Sequence, residues 1–202
     1  MSSENQPKLS LRERKKAKTR AVIQQNALRL FHEQGYADTT VEQIAEASEI
    51  SPSTFFRYFP TKESVILYDD YDPLLIEAFQ QQPIELTTIQ AFRRAVKAGF
   101  VNIPEDEKRA LQERMQLVMS VPELRVASFN QLADTSQMIM ELVAEREGRD
   151  KSDQDILTFA SALMGAIISS QFYCFQHPEV DLIDAIDSAL AFLEAGLPLS
   201  QF

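Results

Sequence analysis

Apolar residues recur at spacings of three and four along nearly the whole chain, and no run alternates over the length of a strand. Val22, Ile23, Ala27, Leu30 and Phe31 mark one face of a first helix beginning near Leu11, and Gly35 suits its C-cap because glycine takes the left-handed conformation cheaply. Thr40-Val-Glu-Gln43 reads as a capping box that opens a short second helix with Val41, Ile44 and Ala45 inward. Ser51 as N-cap and Pro52 as first helical residue open a third helix, whose apolar residues are Phe55, Phe56 and Phe59 and which Pro60 stops. Thr61 caps a fourth, running from Lys62 past Asp70, kinked at Pro73 and ending near Gln82. Beyond Pro83 the pattern predicts helices over 88–102, 105–120, 123–147, 152–176 (capped by Ser152) and about 181–195, the last closing at Gly196. This is an all-α fold of about nine helices without a sheet. Residues 1–10 are polar, carry Pro7 and read as a disordered tail.

Composition agrees: 45% of residues are hydrophobic, glycines number five, and no Asn-Gly or Asp-Gly hairpin signal occurs. A single cysteine, Cys174, builds no intramolecular disulfide and no four-ligand zinc site, which points to a reducing cytoplasm. The Ser-rich, then basic, start lacks the apolar stretch of a signal peptide.

Charge changes the picture most. The net charge of −10 speaks against a polyanionic partner, yet residues 1–62 hold ten Lys/Arg against seven Asp/Glu, leaving +3, and the remainder holds ten against twenty-three, leaving −13. Seven basic residues fall within 8–20, opposed by Glu13 alone. A basic arm on an acidic body attracts a polyanion at one end and repels it at the other, which orients the encounter.

Residues 40–59 form short helix, tight break, short helix, the layout in which a second helix enters the DNA major groove. The third helix opens with the small hydroxyls Ser51, Ser53 and Thr54, with Arg57 and Tyr58 about a turn further on. Ile44-Ala45, Ser48, Ile50-Ser51, Ser53-Thr54-Phe55-Phe56-Arg57-Tyr58-Phe59 and Lys62-Glu63, with Thr19-Arg20, Ile23, Ala27, Leu30-Phe31, Gly35-Tyr36 and Thr39-Thr40-Val41 upstream, resemble the DNA-binding signature of tetracycline-repressor-type (TetR family) regulators over residues 12–63. The resemblance implies a helix-turn-helix domain over 11–60 and a ligand-binding and dimerisation domain over 61–202. It implies Ser51, Ser53, Thr54, Arg57 and Tyr58 at the operator, Thr40 and Lys62 on phosphates, and Lys16, Lys18, Thr19 and Arg20 on the backbone or in a minor groove. The family usually has glycine where this chain has Glu49; the turn is expected to form, with a non-glycine residue at positive φ.

The body offers an uncharged stretch, residues 156–176. A membrane span needs about 20 apolar residues. The segment, however, contains Thr158, Ser161, Ser169, Ser170, Gln171 and Gln176, and its Ala160, Ala162, Gly165 and Ala166 suit close helix packing. A buried core-and-dimer helix is the reading, with no membrane. The last helix supplies the stripe Leu182, Ile186, Ala189, Leu190, Leu193 and Leu197. The resemblance implies that these last two helices pair with a twofold mate. Phe92, Phe100, Met115, Met119, Phe129, Met138 and Met140 are candidates to line an effector pocket, since methionine and aromatic side chains make adaptable apolar walls; the alternative for each of them is plain core. Pro122-Glu-Leu-Arg125 and the 145–150 segment resemble a branch of the same family in which some members bind acyl thioesters.

No catalytic constellation is visible. His32 and His177 stand apart, Cys174 and His177 supply at most two metal ligands, and Asp69-Asp70-x-Asp72 lacks the glycine and distal glutamate of an EF-hand loop. No metal, cofactor or enzymatic role is expected. The expected function is a homodimeric regulator, a repressor, released from a pseudo-palindromic operator by a small apolar or amphipathic ligand. The rivals are a helical carrier or enzyme that uses the same cavity without DNA, which would need titratable groups converging on the pocket, and a membrane-associated helical protein.

Overall fold

A computed structural model describes residues 10–68, 71–101 and 103–199. Among them are ten helices and no strand. The chain divides into two compact units after Tyr68, eight residues beyond the boundary expected at residue 60. The expected tail falls outside the described residues except for Ser10.

In the N-terminal unit, α1 (Leu11–Gln34) opens on a reciprocal capping box: the Ser10 hydroxyl accepts from Glu13 N–H and the Glu13 carboxylate accepts from Ser10 N–H at 2.8 Å. Ile23, Ala27, Leu28 and Phe31 form its buried face, while Val22, expected inward, is exposed. Helices α2 (Val41–Ala47) and α3 (Pro52–Tyr58) follow, then a single turn, α4 (Ser64–Leu67). Ile44, Ala45, Phe55, Phe59, Val65 and Ile66 complete the core. The expected long fourth helix is not continuous: Tyr68 leaves the helical region with ψ 127°, and α5 (Asp72–Gln80) starts afresh. Pro73 sits in the first turn of α5, where its missing N–H and fixed φ begin a helix instead of kinking one. This break makes ten helices of the expected nine.

The second unit comprises α5, α6 (Thr88–Phe100), α7 (Glu105–Ser120), α8 (Pro122–Glu147), α9 (Gln154–Gln176) and α10 (Leu182–Glu194). Its core joins Phe79, Phe92, Val96, Ile139, Val143, Leu163 and Leu190, drawn from every helix but α7. Asp153, not Ser152, caps α9, accepting from Asp155 N–H at 2.9 Å, and Asp181 caps α10. An ion cluster ties α6 to α10: Arg93 donates to Asp187 at 2.8 Å and to Glu194 at 2.6 Å, and Lys97 lies 2.7 Å from Asp187. The Arg93 guanidinium holds the Asp187 carboxyl below its ordinary range. Arg146 clamps the loop between α5 and α6 through the carbonyls of Gln82 and Leu86 and lies over the Phe79 ring.

Helix α9 buries Ile156, Ala160, Leu163, Met164, Ser170 and Cys174. Leu157, Ser161, Gly165, Ser169, Phe172 and Tyr173 lie exposed on it. Among the described residues it is the one helix long and apolar enough to cross a bilayer, with mean hydropathy 1.4. The same composition suits a helix with one face in a core and the other against a partner.

Candidate nucleic-acid interface

The interface is built on two caps and a turn. The Thr40 hydroxyl accepts from Gln43 N–H at 3.3 Å, and the Gln43 carboxamide oxygen accepts from Thr40 N–H at 2.8 Å. The Thr40 backbone N–H is therefore used inside the capping box, and its hydroxyl proton remains to be donated to a phosphate. Gln43 is held in turn by Gln34, whose amide donates to it at 2.9 Å and to the buried Thr39 hydroxyl at 3.2 Å.

Helix α2 ends in a Schellman turn. Ile50 N–H reaches back to Ala45 O at 2.9 Å and Glu49 N–H to Glu46 O at 3.0 Å, with Glu49 at φ 55°. The turn forms with glutamate in the left-handed position, at a cost of about 1 kcal/mol relative to glycine. Ser48 beside it buries a hydroxyl that has no hydrogen-bond partner among the described residues.

Helix α3 starts at once. The Ser51 hydroxyl accepts from Thr54 N–H at 3.2 Å and lies 2.9 Å from Ser53 Oγ and 3.0 Å from Thr54 Oγ1. Pro52 occupies the first turn. Three hydroxyls thus cluster at the exposed start of a helix whose N–H groups point outward, an arrangement that favours phosphate and base-edge acceptors. Phe55 is fully buried and anchors the helix, in ring contact with Phe59 at 5.8 Å. Arg57 is exposed, its guanidinium 5.5 Å from the centre of the Tyr58 ring. Of the three apolar residues of this helix segment, Phe56 alone is exposed, at 50%, because it follows Phe55 by about 100° around the helix. It adds an apolar side chain to the surface that carries the hydroxyls, and its buried neighbour Phe55 is the signal that could have assigned it outward.

Lys16 and Lys18 are exposed on α1, and the Thr19 hydroxyl donates to Lys15 O at 3.0 Å. Two residues expected on DNA, Arg20 of the arm and Lys62 after α3, turn onto the protein. Arg20 turns onto Tyr68, donating to its hydroxyl with the guanidinium centred 4.3 Å over the ring. Lys62 turns inward too: its ammonium donates to Tyr36 O at 2.9 Å and Thr39 O at 3.0 Å and lies 4.1 Å over the Tyr36 ring. One of its three donors is left for a phosphate. Next to it, Glu63 accepts from the Tyr36 hydroxyl at 2.7 Å, which lowers its pKa.

Residues 23–68 match the family described as bacterial regulatory proteins, tetR family, and residues 86–198 match the MftR C-terminal domain. The regulator TcmR of Streptomyces glaucescens is 32% identical over 198 residues, covering 93% of this chain and 88% of TcmR. The chain belongs to the TetR family. As such it is a DNA-binding transcriptional regulator, and the caps and turn above are its helix-turn-helix. Members of the family bind DNA operators and small-molecule effectors, act as dimers, and are soluble, typically cytoplasmic proteins. A putative mycofactocin biosynthesis regulator, MftR of Mycobacterium tuberculosis, is 27% identical and covers 91% of this chain and 93% of its own. In fold, the chain is similar to Thermus thermophilus FadR, a TetR-family repressor solved with lauroyl-CoA, at TM-score 0.54 and 24% identity, covering 91% of this chain and 97% of that one.

The residues expected to line this regulator's effector pocket are not brought together. Phe92 is fully buried in the main core, 5.9 Å from Phe79 between ring centroids, and Met138 and Met140 pack against the same core. Met115 and Met119 belong to a separate cluster with Cys174 and Ala185. Phe100 lies against Tyr71 at 5.2 Å. Phe129 is 63% exposed, because it stands five residues from buried Leu124 and so on the far side of α8. An open cleft of about 360 Å³ is lined by Gln90, Arg93, Arg94, Lys97, Asp187 and Glu194, the ion cluster already described, and it is polar where an apolar site was expected. No three His, Cys, Asp or Glu side chains cluster as metal ligands among the described residues; Asp69 and Asp70 lie outside them.

Proposed function

We propose that the protein is a homodimeric repressor, without catalytic activity, that leaves its operator when a small apolar or amphipathic molecule binds the second unit. The observation that carries this reading is the hydroxyl cluster of Ser51, Ser53 and Thr54 at the exposed start of a rigidly capped recognition helix. Arg57, Tyr58, Thr40, Lys16, Lys18 and Thr19 complete the footprint, with Lys62 offering its last donor. Dimerisation runs through α9 and α10: small residues (Ser161, Gly165, Ser169) beside exposed Leu157, Phe172 and Tyr173 allow close helix approach and cover apolar area, and a twofold axis makes the contact isologous. Two recognition helices then meet successive major grooves of a pseudo-palindrome about one helical turn apart. For the effector, the likeness to a repressor solved with lauroyl-CoA supports an acyl thioester.

The test is binding of the purified full chain to DNA upstream of its own gene, with excess random DNA as competitor and salt titrated. A shifted complex is expected that survives the competitor and weakens steeply with salt, since each phosphate contact adds about −0.9 to the slope of log K against log salt. Adding lauroyl-CoA as a probe is expected to release the DNA. Equal binding to random DNA overturns operator recognition; a complex indifferent to the probe removes the acyl thioester and leaves the operator reading intact.

A further inference from the structure

One cation of the basic arm does not point where its neighbours do. Lys16 and Lys18 are exposed, whereas Arg20 is partly buried, donates to the Tyr68 hydroxyl and stacks on the Tyr68 ring. One turn on, Gln24 spends both donors of its amide on the end of α4, reaching Val65 O at 3.1 Å and Tyr68 O at 2.8 Å. A helix leaves its last carbonyls without intrahelical partners. Here one of them, Val65 O, and the carbonyl of Tyr68, the residue that follows the helix, are satisfied from another helix. Positions i and i+4 of α1 thus grip one element. Tyr68 is also where the N-terminal unit ends, and its ring lies 5.9 Å from that of buried Phe59, the residue that closes α3. The contacts run without a gap from α1 through Tyr68 to the end of the recognition helix.

We propose that Arg20 and Gln24 are positioning residues that latch the exit of the DNA-binding unit to α1, and that Arg20 lies outside the DNA footprint. One Arg20 donor and its cation are spent on Tyr68, and swinging the side chain out to a phosphate costs both that hydrogen bond and the ring beneath it. The latch holds Tyr68, the last residue of the unit, against α1, and discrimination between operator spacings is the property that reads it. The inference rests on the operator reading above.

The experiment uses full-length protein and the operator that wild type selects from a random DNA pool. Operator affinity, its salt slope, and its loss when one base pair is added at the operator centre are measured for Lys16→Gln, Arg20→Gln, Gln24→Leu and Tyr68→Phe. Lys16→Gln is expected to lower the slope by about 0.9, as one lost phosphate contact does. Arg20→Gln, Gln24→Leu and Tyr68→Phe are expected to keep the wild-type slope and to narrow the discrimination between the two spacings by about fivefold, the low end of coupling between linked sites. A merely structural loss lowers the active fraction and leaves that ratio alone. Tyr68→Phe keeps the ring and every charge, so it reads the latch even where Arg20→Gln unfolds the unit. A slope lowered by about 0.9 in Arg20→Gln, or wild-type spacing discrimination in Gln24→Leu and Tyr68→Phe, overturns the latch while the operator reading stands. A wild type that selects no sequence overturns both.

Discussion

Three helices of this regulator end in the same hydrogen-bonded turn, α8 and α10 on glycine (Gly148, Gly196) and α2 on Glu49. At the end of α8, Arg149 N–H reaches Ala144 O at 3.0 Å and Gly148 N–H reaches Glu145 O at 3.3 Å, with Gly148 at φ 63°. At the end of α2 the pattern is repeated with Glu49 at φ 55°. The first turn joins two body helices and is held by its own residue. The second aims the recognition helix and is held by its surroundings: Ile44 and Ala45 beneath it, Phe55 and Phe59 beyond it, all buried. Strain of about 1 kcal/mol sits in the functional turn together with the Ser48 hydroxyl, which has no partner among the described residues. The packing of the head, more than any preference of the chain, sets the angle between α2 and α3.

If so, the core beneath the strained turn matters most. Phe55→Ala is expected to cost about 3–5 kcal/mol, as emptied buried aromatic sites do, and to abolish operator binding. Denaturant unfolding followed with separate probes for the two units checks it, and an unchanged head midpoint breaks the comparison. The body is held at a distance from its turns by the Arg93–Asp187 pair, so Asp187→Asn is expected to cost about 2 kcal/mol, typical of hydrogen bonds to charged groups. Because the folded pKa of Asp187 is depressed, its contribution is complete above the unfolded value of about 3.9 and is lost as pH falls through the folded one. Acid melts of wild type and Asp187→Asn should converge there. Moving the head's residue to the body, Gly148→Glu is expected to destabilise by about 1 kcal/mol. A Cβ at Gly148 meets nothing within 4 Å, so the loss reads backbone conformation alone. The reverse change, Glu49→Gly, gains less, about 0.5 kcal/mol, since glycine also loosens the unfolded chain. Equal and opposite shifts in thermal melts would mean that both turns feel only their own residue.

Local signals are legible in the sequence because they are closed within a few residues. The Thr40–Gln43 box, the Ser51-Pro52 start and the Gly148 stop each depend on partners no more than five positions away. Arg20 and Lys62 depart from expectation because their partners are not local: Tyr68 lies 48 residues from Arg20, and Tyr36 and Thr39 lie 26 and 23 from Lys62. A basic residue in a basic run looks solvated until the fold brings a ring or a carbonyl to it. The expected pocket fails for a related reason. Methionine and phenylalanine are chosen equally by a core, a satellite cluster and an exposed helix face, so Phe92, Met115 and Phe129 share a composition and not a place.

The single anchor of the recognition helix has an evolutionary consequence. Within Pro52–Tyr58, Phe55 alone is fully buried, while Ser53, Phe56 and Arg57 are exposed. None of those three side chains fills the core, so descendants of this gene can drift to new operators one substitution at a time at little cost in stability.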